Sequence, residues 1–271
     1  MNRDSNLLAC PKTGQLLLLE PQAKRAVSAD GKIIYPIIDG IIDLVTAETE
    51  HQHIAASYDL VSVSYDKLLT GANLATRCYN RMVWGLRDSD YIQKLLPLFP
   101  EAANQIILDA PVGTGVFTLE LYRKLAKSSQ IIVLDYSMQM LRKAQERYEQ
   151  NGLGNIIYVR GDIGRLPFPA AGIDILLTMN GYHAFPEKER ALSEMARVLR
   201  PGGALLGCFY IRGERAVTDF FIDRVYTRLG SFTPPFYGFQ EIKDRWSQYF
   251  EFTQYDNVKS ILYFAGIKRN Q

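Results

Sequence analysis

The chain has 271 residues, of which 47% are hydrophobic and 22% charged, a composition typical of a globular protein with one main core and a smaller appendage. Its 31 basic and 29 acidic side chains leave a net charge of only +2. Because so small a charge attracts a polyanion only weakly, a nucleic-acid partner is disfavoured. Because no apolar run approaches the roughly 18 residues of a membrane span and the N-terminus lacks a secretory signal pattern, we expect a cytoplasmic protein without a membrane span.

The first 48 residues are predicted to form a small β-rich module. Its apolar runs, LLLLE and KIIYPIIDGIIDLV, are interrupted by Pro21 and by the Asp-Gly pairs at 30–31 and 39–40, which are typical turn residues. A structural zinc site needs four ligands, and no second cysteine or histidine joins Cys10 between residues 11 and 50. We therefore expect the module to hold no metal.

Residues 49–271 are predicted to form the main domain, which begins with a helical extension at residues 49–97. Apolar residues in this extension recur at helical spacing. Two Tyr-Asp pairs, at 58–59 and 65–66, lie seven residues apart and therefore close to one face of a helix. This pattern favours an amphipathic helix that packs against the main core.

Strands and helices then alternate along the chain. The apolar runs and their flanking residues predict strands at 106–110, 131–135, 156–160, 173–179 and 204–210, and helices at 116–127, 137–150 and 187–199. Alternation of this kind implies right-handed crossovers and a parallel sheet with helices on both faces. Two further strands, at 251–258 and 261–268, are predicted to form a hairpin at the edge of that sheet.

The segment from Ile106 to Asp135 carries the most informative chemistry. Gly113 and Gly115, in the sequence VGTG, let the backbone turn sharply from a strand into a helix, so that bare backbone N–H groups face a ligand. Asp135 ends the next strand twenty residues after Gly115, where a carboxylate can accept both hydroxyl protons of a ribose. The segment therefore predicts a site for a nucleoside cofactor.

The choice of cofactor depends on what the glycine turn lacks. A dinucleotide fingerprint needs a third glycine three residues beyond Gly115, but Thr118 stands there. A triphosphate cradle needs the sequence Gly-Lys-Ser/Thr, and no lysine follows these glycines. NAD and nucleoside triphosphates are thereby disfavoured, and a ligand with a ribose and no phosphate remains.

With IILDAPVGTG as a first motif, the chain resembles the class I S-adenosylmethionine-dependent methyltransferases, in particular the branch of ubiquinone and menaquinone C-methyltransferases. The resemblance covers roughly residues 101–210 and includes further motifs in the same order: LDYSMQML, GDIGRLPF, GIDILLTMNGYHAF and EMARVLRPGG. It implies an α/β fold with a Rossmann-like sheet of seven strands, mostly parallel with an antiparallel last strand. It also implies that S-adenosylmethionine is the cofactor.

The same resemblance implies which residues form the site. Asp135 would hold the ribose, and Asp162 would accept the adenine amino group. The implied cofactor-binding residues are Asp109, Gly113, Gly115, Asp135, Met140, Asp162, Ile163 and Asn180. His183 follows the fourth core strand beside the expected methyl group, so it is the candidate general base if the acceptor must lose a proton, with a packing role in the loop as the alternative.

One position inside the first motif departs from the family pattern. Pro111 stands where the family usually has its first glycine, and proline has no N–H to donate. Because Gly113 and Gly115 are intact, we interpret Pro111 as a tolerated variant.

The N-terminal module resembles the zinc-knuckle modules that precede large-subunit rRNA guanine methyltransferases or form small methyltransferase activator subunits. Cys10-Pro11 and the sequence YPIIDG at 35–40 match that pattern, whereas Thr13 stands where a second cysteine is expected. The resemblance therefore implies a degenerate, metal-free relic of the fold.

The methyl acceptor is the least determined feature. Residues 211–248 are predicted to form an acceptor-side insertion, and their many aromatics favour a small, planar or apolar acceptor, although core packing or a homodimer interface explains them equally well. Spaced arginines nearby leave an RNA nucleobase as the alternative acceptor, but they also suit a solvated helix face. These arginines are Arg212, Arg215, Arg224 and Arg228. A protein that binds S-adenosylmethionine without catalysis is the remaining alternative.

Overall fold

The computed structural model describes residues 7–45, 82–84, 94, 96–99, 104–125 and 128–270. Within these residues eleven strands form one mixed sheet. The strands are β1 (Leu17–Glu20), β2 (Arg25–Ser28), β3 (Ile34–Ile38), β4 (Ile41–Asp43), β5 (Ile106–Asp109), β6 (Gln130–Asp135), β7 (Ile156–Arg160), β8 (Ile173–Met179), β9 (Leu199–Tyr210), β10 (Phe250–Val258) and β11 (Ile261–Lys268). The α-helices are α1 (Leu119–Leu125), α2 (Met138–Gln150), α3 (Lys188–Val198), α4 (Ala216–Phe221) and α5 (Phe239–Trp246).

The order of the strands is β1-β2-β3-β4-β7-β6-β5-β8-β9-β11-β10. From β7 to β9 all neighbours pair in parallel, whereas β11 is antiparallel to both β9 and β10. The seven strands from β7 to β10 in this order confirm the predicted fold class, a mostly parallel Rossmann-like sheet with an antiparallel last strand. Four N-terminal strands extend the same sheet beyond the predicted seven.

The central strands are buried on both faces. Every residue of β5 and of β8 is buried, which is the pattern expected when continuous apolar runs form parallel strands covered by helices. On one face the sheet packs against Tyr122 of α1 and Tyr148 of α2. On the other face it packs against Leu192 of α3 and Trp246 of α5. Because helices pack on both faces of the sheet, the carboxyl ends of its central strands are held in fixed positions.

Two elements begin more than one residue away from their predicted starts. Helix α1 begins at Leu119 rather than at residue 116, because the turn after β5 continues to residue 118. Strand β9 begins at Leu199 rather than at residue 204, because Leu199 already pairs with Ile173. The register then shifts between Ile173 and Ile175, so residues 201–203 belong to an irregular strand start and not to the end of the preceding helix.

The N-terminal strands join the core sheet directly. Strand β4 pairs in parallel with β7, and Asp43 lies opposite Arg160 in the register. Strands β1 to β3 continue outward as an antiparallel meander. The predicted helical extension at 49–97 falls largely outside the described residues, as do both of its Tyr-Asp pairs. None of the helices in the described ranges is long and apolar enough to cross a membrane.

Candidate functional site

A cleft opens at the carboxyl ends of the parallel strands. It lies where β5 is flanked by β6 on one side and β8 on the other, the point at which strand order reverses and ligands bind in open α/β sheets. The space within the cleft is about 950 Å³, a volume that includes the part open to solvent. Its wall comes from the turns after β5, β6 and β7 and from residues 179–186.

The two glycines of the turn after β5 have different functions. Both have φ in the left-handed region, +57° at Gly113 and +71° at Gly115, where residues with a side chain are strained. A Cβ on Gly113 would meet no described atom within 4 Å, whereas a Cβ on Gly115 would lie 2.5 Å from the Tyr148 hydroxyl oxygen. Gly113 therefore leaves open space at the cleft wall, and Gly115 lets α2 pack closely beneath the turn.

Asp135 connects the glycine turn to the start of α2. Its Oδ2 accepts a hydrogen bond from the Gly113 N–H at 2.8 Å, and its Oδ1 accepts one from the Ser137 N–H at 2.9 Å. The Ser137 hydroxyl then caps α2 by accepting a hydrogen bond from the Met140 N–H at 3.2 Å. Asp135 lines the cleft, where a carboxylate can accept hydrogen bonds from the hydroxyls of a ribose.

The turn after β7 provides a second carboxylate. Asp162 accepts a hydrogen bond from the Gly164 N–H at 2.8 Å with its Oδ1, which caps the short 3₁₀ helix Ile163–Arg165 and fixes the carboxylate at the wall. Ile163 and Met140 line the cleft as well. A fixed acceptor near apolar side chains suits adenine, since the carboxylate can accept from the amino group while the apolar side chains pack on the ring.

Asn180 follows the last residue of β8 with a φ of +53°, a conformation that asparagine adopts more readily than most residues. Its N–H donates to the Cys208 carbonyl of β9 at 2.7 Å, which fixes the residue at the cleft wall. The carboxamide can both donate and accept, so it can hold the amino or carboxyl group of an amino-acid moiety.

The structure brings six of the predicted cofactor-binding residues to the cleft wall, namely Gly113, Asp135, Met140, Asp162, Ile163 and Asn180. Asp109 and Gly115 do not line the cleft in the described part of the chain. Gly115 acts from beneath the turn through its contact with Tyr148.

Asp109 is fully buried beneath the glycine turn. Its Oδ2 accepts a hydrogen bond from the Tyr122 hydroxyl at 2.5 Å, while its Oδ1 has no partner among the described atoms. Burial raises the pKa of this carboxyl to about 7, against the lowering effect of the Tyr122 hydrogen bond. The hydroxyls of Thr118 and Tyr148, 2.8 Å apart, lie in the same buried layer. Asp109 thus supports the turn from beneath, and its contact with the cofactor stays a prediction.

His183 is buried behind the cleft wall. Its Nδ1 accepts a hydrogen bond from the Tyr210 N–H at 3.3 Å, and its ring stacks on Phe232 with centroids 3.9 Å apart. Burial, and after it the charge of Lys188, lowers the pKa of His183 to about 3. The ring is therefore neutral near pH 7 with its lone pair engaged, a geometry that favours packing over proton transfer. Its role as a general base stays a prediction.

Pro111 lies at the cleft wall against the loop that follows β8. A Cβ on Gly181 would lie 2.3 Å from Pro111 Cδ and 3.0 Å from Phe185 Cζ, so the glycine makes room for both rings. Pro111 thus gives up the N–H donor of a glycine and adds an apolar surface to the cleft.

An apolar part of the wall was not predicted from the sequence. We call it the apolar patch, and it consists of Val116, Phe117, Met179, Ala184, Phe185 and Pro186. These residues come from the turn after β5 and from the end of β8 and its loop, so the patch is assembled by the pairing of two strands that lie far apart in the sequence. The only available signal was the position of apolar residues directly after two motif strands.

The predicted aromatic insertion is largely used for packing. Trp246 is fully buried against Tyr182 and Phe209 on one face of the sheet. Phe232 is buried on the other face against Tyr226 and His183. No residue beyond 186 lines the described cleft, so the role of the insertion at 211–248 in acceptor binding stays a prediction.

Two of the four arginines considered for RNA contact are engaged within the chain. Arg212 donates two hydrogen bonds to the Asp223 carboxylate, at 3.1 and 2.6 Å. Arg215 donates to the backbone carbonyls of Met82 and Val83 at 3.2 and 3.0 Å. These guanidinium groups are therefore not freely available to stack on an unpaired base.

Comparison with known proteins agrees with this geometry. Residues 107–203 match a protein family described as a methyltransferase domain. An uncharacterized chloroplastic methyltransferase of Arabidopsis thaliana is 35% identical over 118 residues, which cover 42% of this chain and 33% of that protein. The ubiquinone/menaquinone biosynthesis C-methyltransferase UbiE of Yersinia pestis is 38% identical over 104 residues, which cover 38% of this chain and 41% of that protein. The matched segments thus span less than half the length of these relatives.

Solved structures share the fold at low sequence identity. The [4+2]-cyclase SpnF superposes on this chain with a TM-score of 0.64 at 18% sequence identity, and the match covers 81% of this chain and 97% of the SpnF chain. The methyltransferase solved with the Trm112 activator of Haloferax volcanii has a TM-score of 0.61 and 15% identity, covering 80% of this chain and 98% of its own. The segment at 107–203 is thus an S-adenosylmethionine-dependent methyltransferase domain, and S-adenosylmethionine is its cofactor.

Proposed function

We propose that this chain transfers the methyl group of S-adenosylmethionine to a small, planar or apolar molecule. The observation that carries this proposal is the composition of the cleft, in which the carboxylates of Asp135 and Asp162 share one space with the apolar patch. The predicted domain division, with a module at 1–48, a methyltransferase domain at 49–271 and an insertion at 211–248, is part of the same proposal.

The cofactor supplies an electrophilic methyl group on a positively charged sulfur. The residues of this chain orient the two reactants and exclude water, which is the main requirement for an in-line displacement. Asp135 and the turn at Gly113 hold the nucleoside end through the fixed carboxylate described above. Asn180, fixed by its bond to Cys208, would hold the amino-acid end.

The apolar patch supports the acceptor class. Phe117, Phe185 and Met179 offer flat or flexible apolar surface next to Asn180, where the amino-acid end would lie. The name of the relative UbiE, a ubiquinone/menaquinone biosynthesis C-methyltransferase, agrees with a planar ring as the acceptor.

RNA is the less supported acceptor. Arg212 and Arg215 are engaged within the chain, and the net charge of +2 provides little attraction for a phosphate backbone. Binding of S-adenosylmethionine without methyl transfer is the other alternative, and turnover separates it from the proposal.

The test is a methyl-transfer assay with radiolabelled S-adenosylmethionine. Quinols, phenols and unstructured RNA are offered separately, and product is extracted into organic solvent or precipitated with the RNA. We expect label in the organic phase from an aromatic acceptor. Phe117→Ala should lower that turnover while the Kd for S-adenosylhomocysteine changes less than about three-fold. Label found only in RNA, or no transfer to any acceptor despite cofactor binding, would contradict the proposal.

We also infer that the N-terminal module is a metal-free relic of a zinc-knuckle fold. Cys10 is buried with its Sγ 3.2 Å from the Tyr35 hydroxyl oxygen, so the thiol has a partner within the module. Among the described residues, no group of three or more His, Cys, Asp or Glu side chains is arranged to hold a metal. Metal analysis of the purified protein tests this, and stoichiometric zinc would overturn it.

A further inference from the structure

A nearly buried ion pair joins the N-terminal module to the core sheet. Asp43, the last residue of β4, lies opposite Arg160, the last residue of β7. Arg160 Nη1 is 3.2 Å from Asp43 Oδ2, and the two side chains are only 14% and 11% exposed. The pair therefore sits at the carboxyl ends of the strands, on the same edge of the sheet as the cleft.

Arg160 also reaches the cofactor side of the cleft. Its Nε donates a hydrogen bond to the Tyr136 carbonyl at 3.0 Å, and its guanidinium lies 5.9 Å from the centre of the Tyr136 ring. Tyr136 directly follows Asp135 and lines the cleft. One side chain thus bridges Asp43 of the module and the backbone that carries the ribose-binding carboxylate.

Backbone hydrogen bonds follow the same path. The Leu44 N–H donates to the Arg160 carbonyl at 2.9 Å, and the Gly161 N–H donates to the Asp135 carbonyl at 3.1 Å. The register across the sheet places Asp43, Arg160 and Asp135 in one row. A displacement of Asp43 would therefore act on a connected set of bonds that ends at the ribose site.

The chemistry of the pair favours a role in geometry over a role in stability. A nearly buried ion pair often gives little net stability, because the loss of hydration offsets the attraction. A guanidinium is rigid and planar, so a carboxylate that holds one terminal nitrogen, here Nη1, also restricts the direction in which Nε points. Asp43 can thus fix the Tyr136 carbonyl without touching it.

We propose that Asp43 is a positioning residue for the cofactor site, acting through Arg160 on the Tyr136 carbonyl and hence on Asp135. The N-terminal module is then part of the cofactor-binding apparatus and not an independent appendage. The inference rests on the proposed function, because it assumes that the cleft binds S-adenosylmethionine.

The structure provides a matched control for the test. Asp39 lies in the same module and also pairs with a core arginine, since Arg142 Nη2 is 3.2 Å from Asp39 Oδ2. That pair is exposed, with 53% of the Arg142 and 73% of the Asp39 side chain accessible to solvent, and the described side-chain hydrogen bond of Arg142 goes only to Asp39 and not to a residue of the cleft wall. Asp39→Asn therefore makes the same chemical change as Asp43→Asn without disturbing the path to Tyr136.

The experiment is calorimetric titration of the full chain with S-adenosylhomocysteine, with Tm recorded for each variant. We expect Asp43→Asn to raise the Kd by about five-fold and Asp39→Asn to leave it unchanged. Arg160→Lys keeps a positive charge beside Asp43 but removes the Nε donor, so it should raise the Kd by a similar factor. The double variant Asp43→Asn/Arg160→Lys should then bind no more weakly than the worse single variant.

Three outcomes would decide against the inference. If Asp43→Asn binds S-adenosylhomocysteine with an unchanged Kd, whatever its Tm, the ion pair has a structural role only. If Asp43→Asn fails to fold, wild-type affinity in Arg160→Lys leads to the same conclusion. Equal losses in Asp43→Asn and Asp39→Asn would point to general loosening of the module. Failure of the wild-type chain to bind S-adenosylhomocysteine would instead contradict the proposed function, so the two failures are distinguishable.

Discussion

The cofactor side of the cleft and the apolar patch are built in different ways. On the cofactor side, Asp135 and Asp162 each accept hydrogen bonds from backbone N–H groups of their own or a neighbouring turn. The patch has no such bonds and consists of side chains that meet because β5 and β8 pair. The hydrogen-bonded cofactor side therefore fits one ligand shape closely. The side chains of the apolar patch can be substituted without loss of the fold. A shared cofactor with variable acceptors is the expected result.

The largest loss of stability and of cofactor binding is expected from a substitution of Gly115, because the backbone of the cofactor side leaves no space for a side chain there. Gly115→Ala places a Cβ 2.5 Å from the Tyr148 hydroxyl oxygen at a φ of +71°. The left-handed strain and the clash together should cost about 3 kcal/mol of stability and abolish measurable binding of S-adenosylhomocysteine. Gly113→Ala is the control, because its Cβ would enter open space and should cost only about 1 kcal/mol of stability. Equal losses of Tm in the two variants would contradict this account of the turn.

Asp135→Asn should have the next largest effect. An amide has only one acceptor oxygen, so its NH₂ group would face the N–H of either Gly113 or Ser137. Together with the loss of charge, this should weaken binding of S-adenosylhomocysteine by about 100-fold, or roughly 3 kcal/mol. Calorimetry measures this change. Binding within a factor of three of wild type would show that the ribose is held elsewhere.

The buried Asp109 tests whether the support beneath the turn depends on pH. Its pKa is raised from 3.8 to about 7, so between these values the folded chain retains a proton that the unfolded chain has released. This contribution to the free energy of unfolding therefore falls as pH rises from about 4 to about 7, and it is constant above that range. Asparagine at position 109 does not titrate, so the Asp109→Asn variant lacks this pH-dependent contribution. The free energy of unfolding of the variant minus that of wild type should therefore rise between pH 4.5 and pH 8, by about 3 kcal/mol at most.

Urea unfolding of both proteins at the two pH values checks the Asp109 prediction. The comparison of variant with wild type cancels the titration of all other groups. A stability difference that does not change with pH, or that changes in favour of wild type, would show that Asp109 is ionised when buried.

The smallest effect is expected for His183. Because burial holds its pKa at about 3, the pH dependence of turnover between pH 5 and pH 9 should contain no step from this residue. His183→Asn retains an acceptor for the Tyr210 N–H but loses the stacking on Phe232, so kcat should fall by less than about ten-fold. Loss of a titrating limb from the wild-type pH profile in this variant would restore His183 as the general base.

The sequence was sufficient for features that local pattern determines. The β-turn-α-β unit and the position of Asp135 at the end of its strand follow from motifs with fixed spacing, and the structure has both. The mostly parallel sheet of seven strands was implied by the family resemblance and is also present. The position of Asp109 in the motif does not reveal that Tyr122 donates a hydrogen bond to its carboxylate, or that Tyr148 pairs with Thr118 in the same buried layer. These tyrosines come from two helices, and only tertiary packing brings them beneath the turn.

Contacts between residues far apart in the sequence could not be predicted either, because only tertiary packing brings those residues together. The pair of Asp43 and Arg160 joins residues 117 positions apart, and it depends on the register between β4 and β7. The aromatic content of residues 211–248 suited an acceptor pocket and a packed core equally well, because composition does not separate the two. Trp246 and Phe232 prove to be core residues.

The decisive experiment is a crystal structure of the chain with S-adenosylhomocysteine. We expect both ribose hydroxyls within about 3 Å of the Asp135 carboxylate and the adenine beside Asp162. We also expect the sulfur to face the apolar patch, so that a methyl group on it would point at Phe117, Met179 or Phe185. Density for the ligand outside this cleft, or with its sulfur directed toward Asp162, would show that the cofactor site is assigned wrongly.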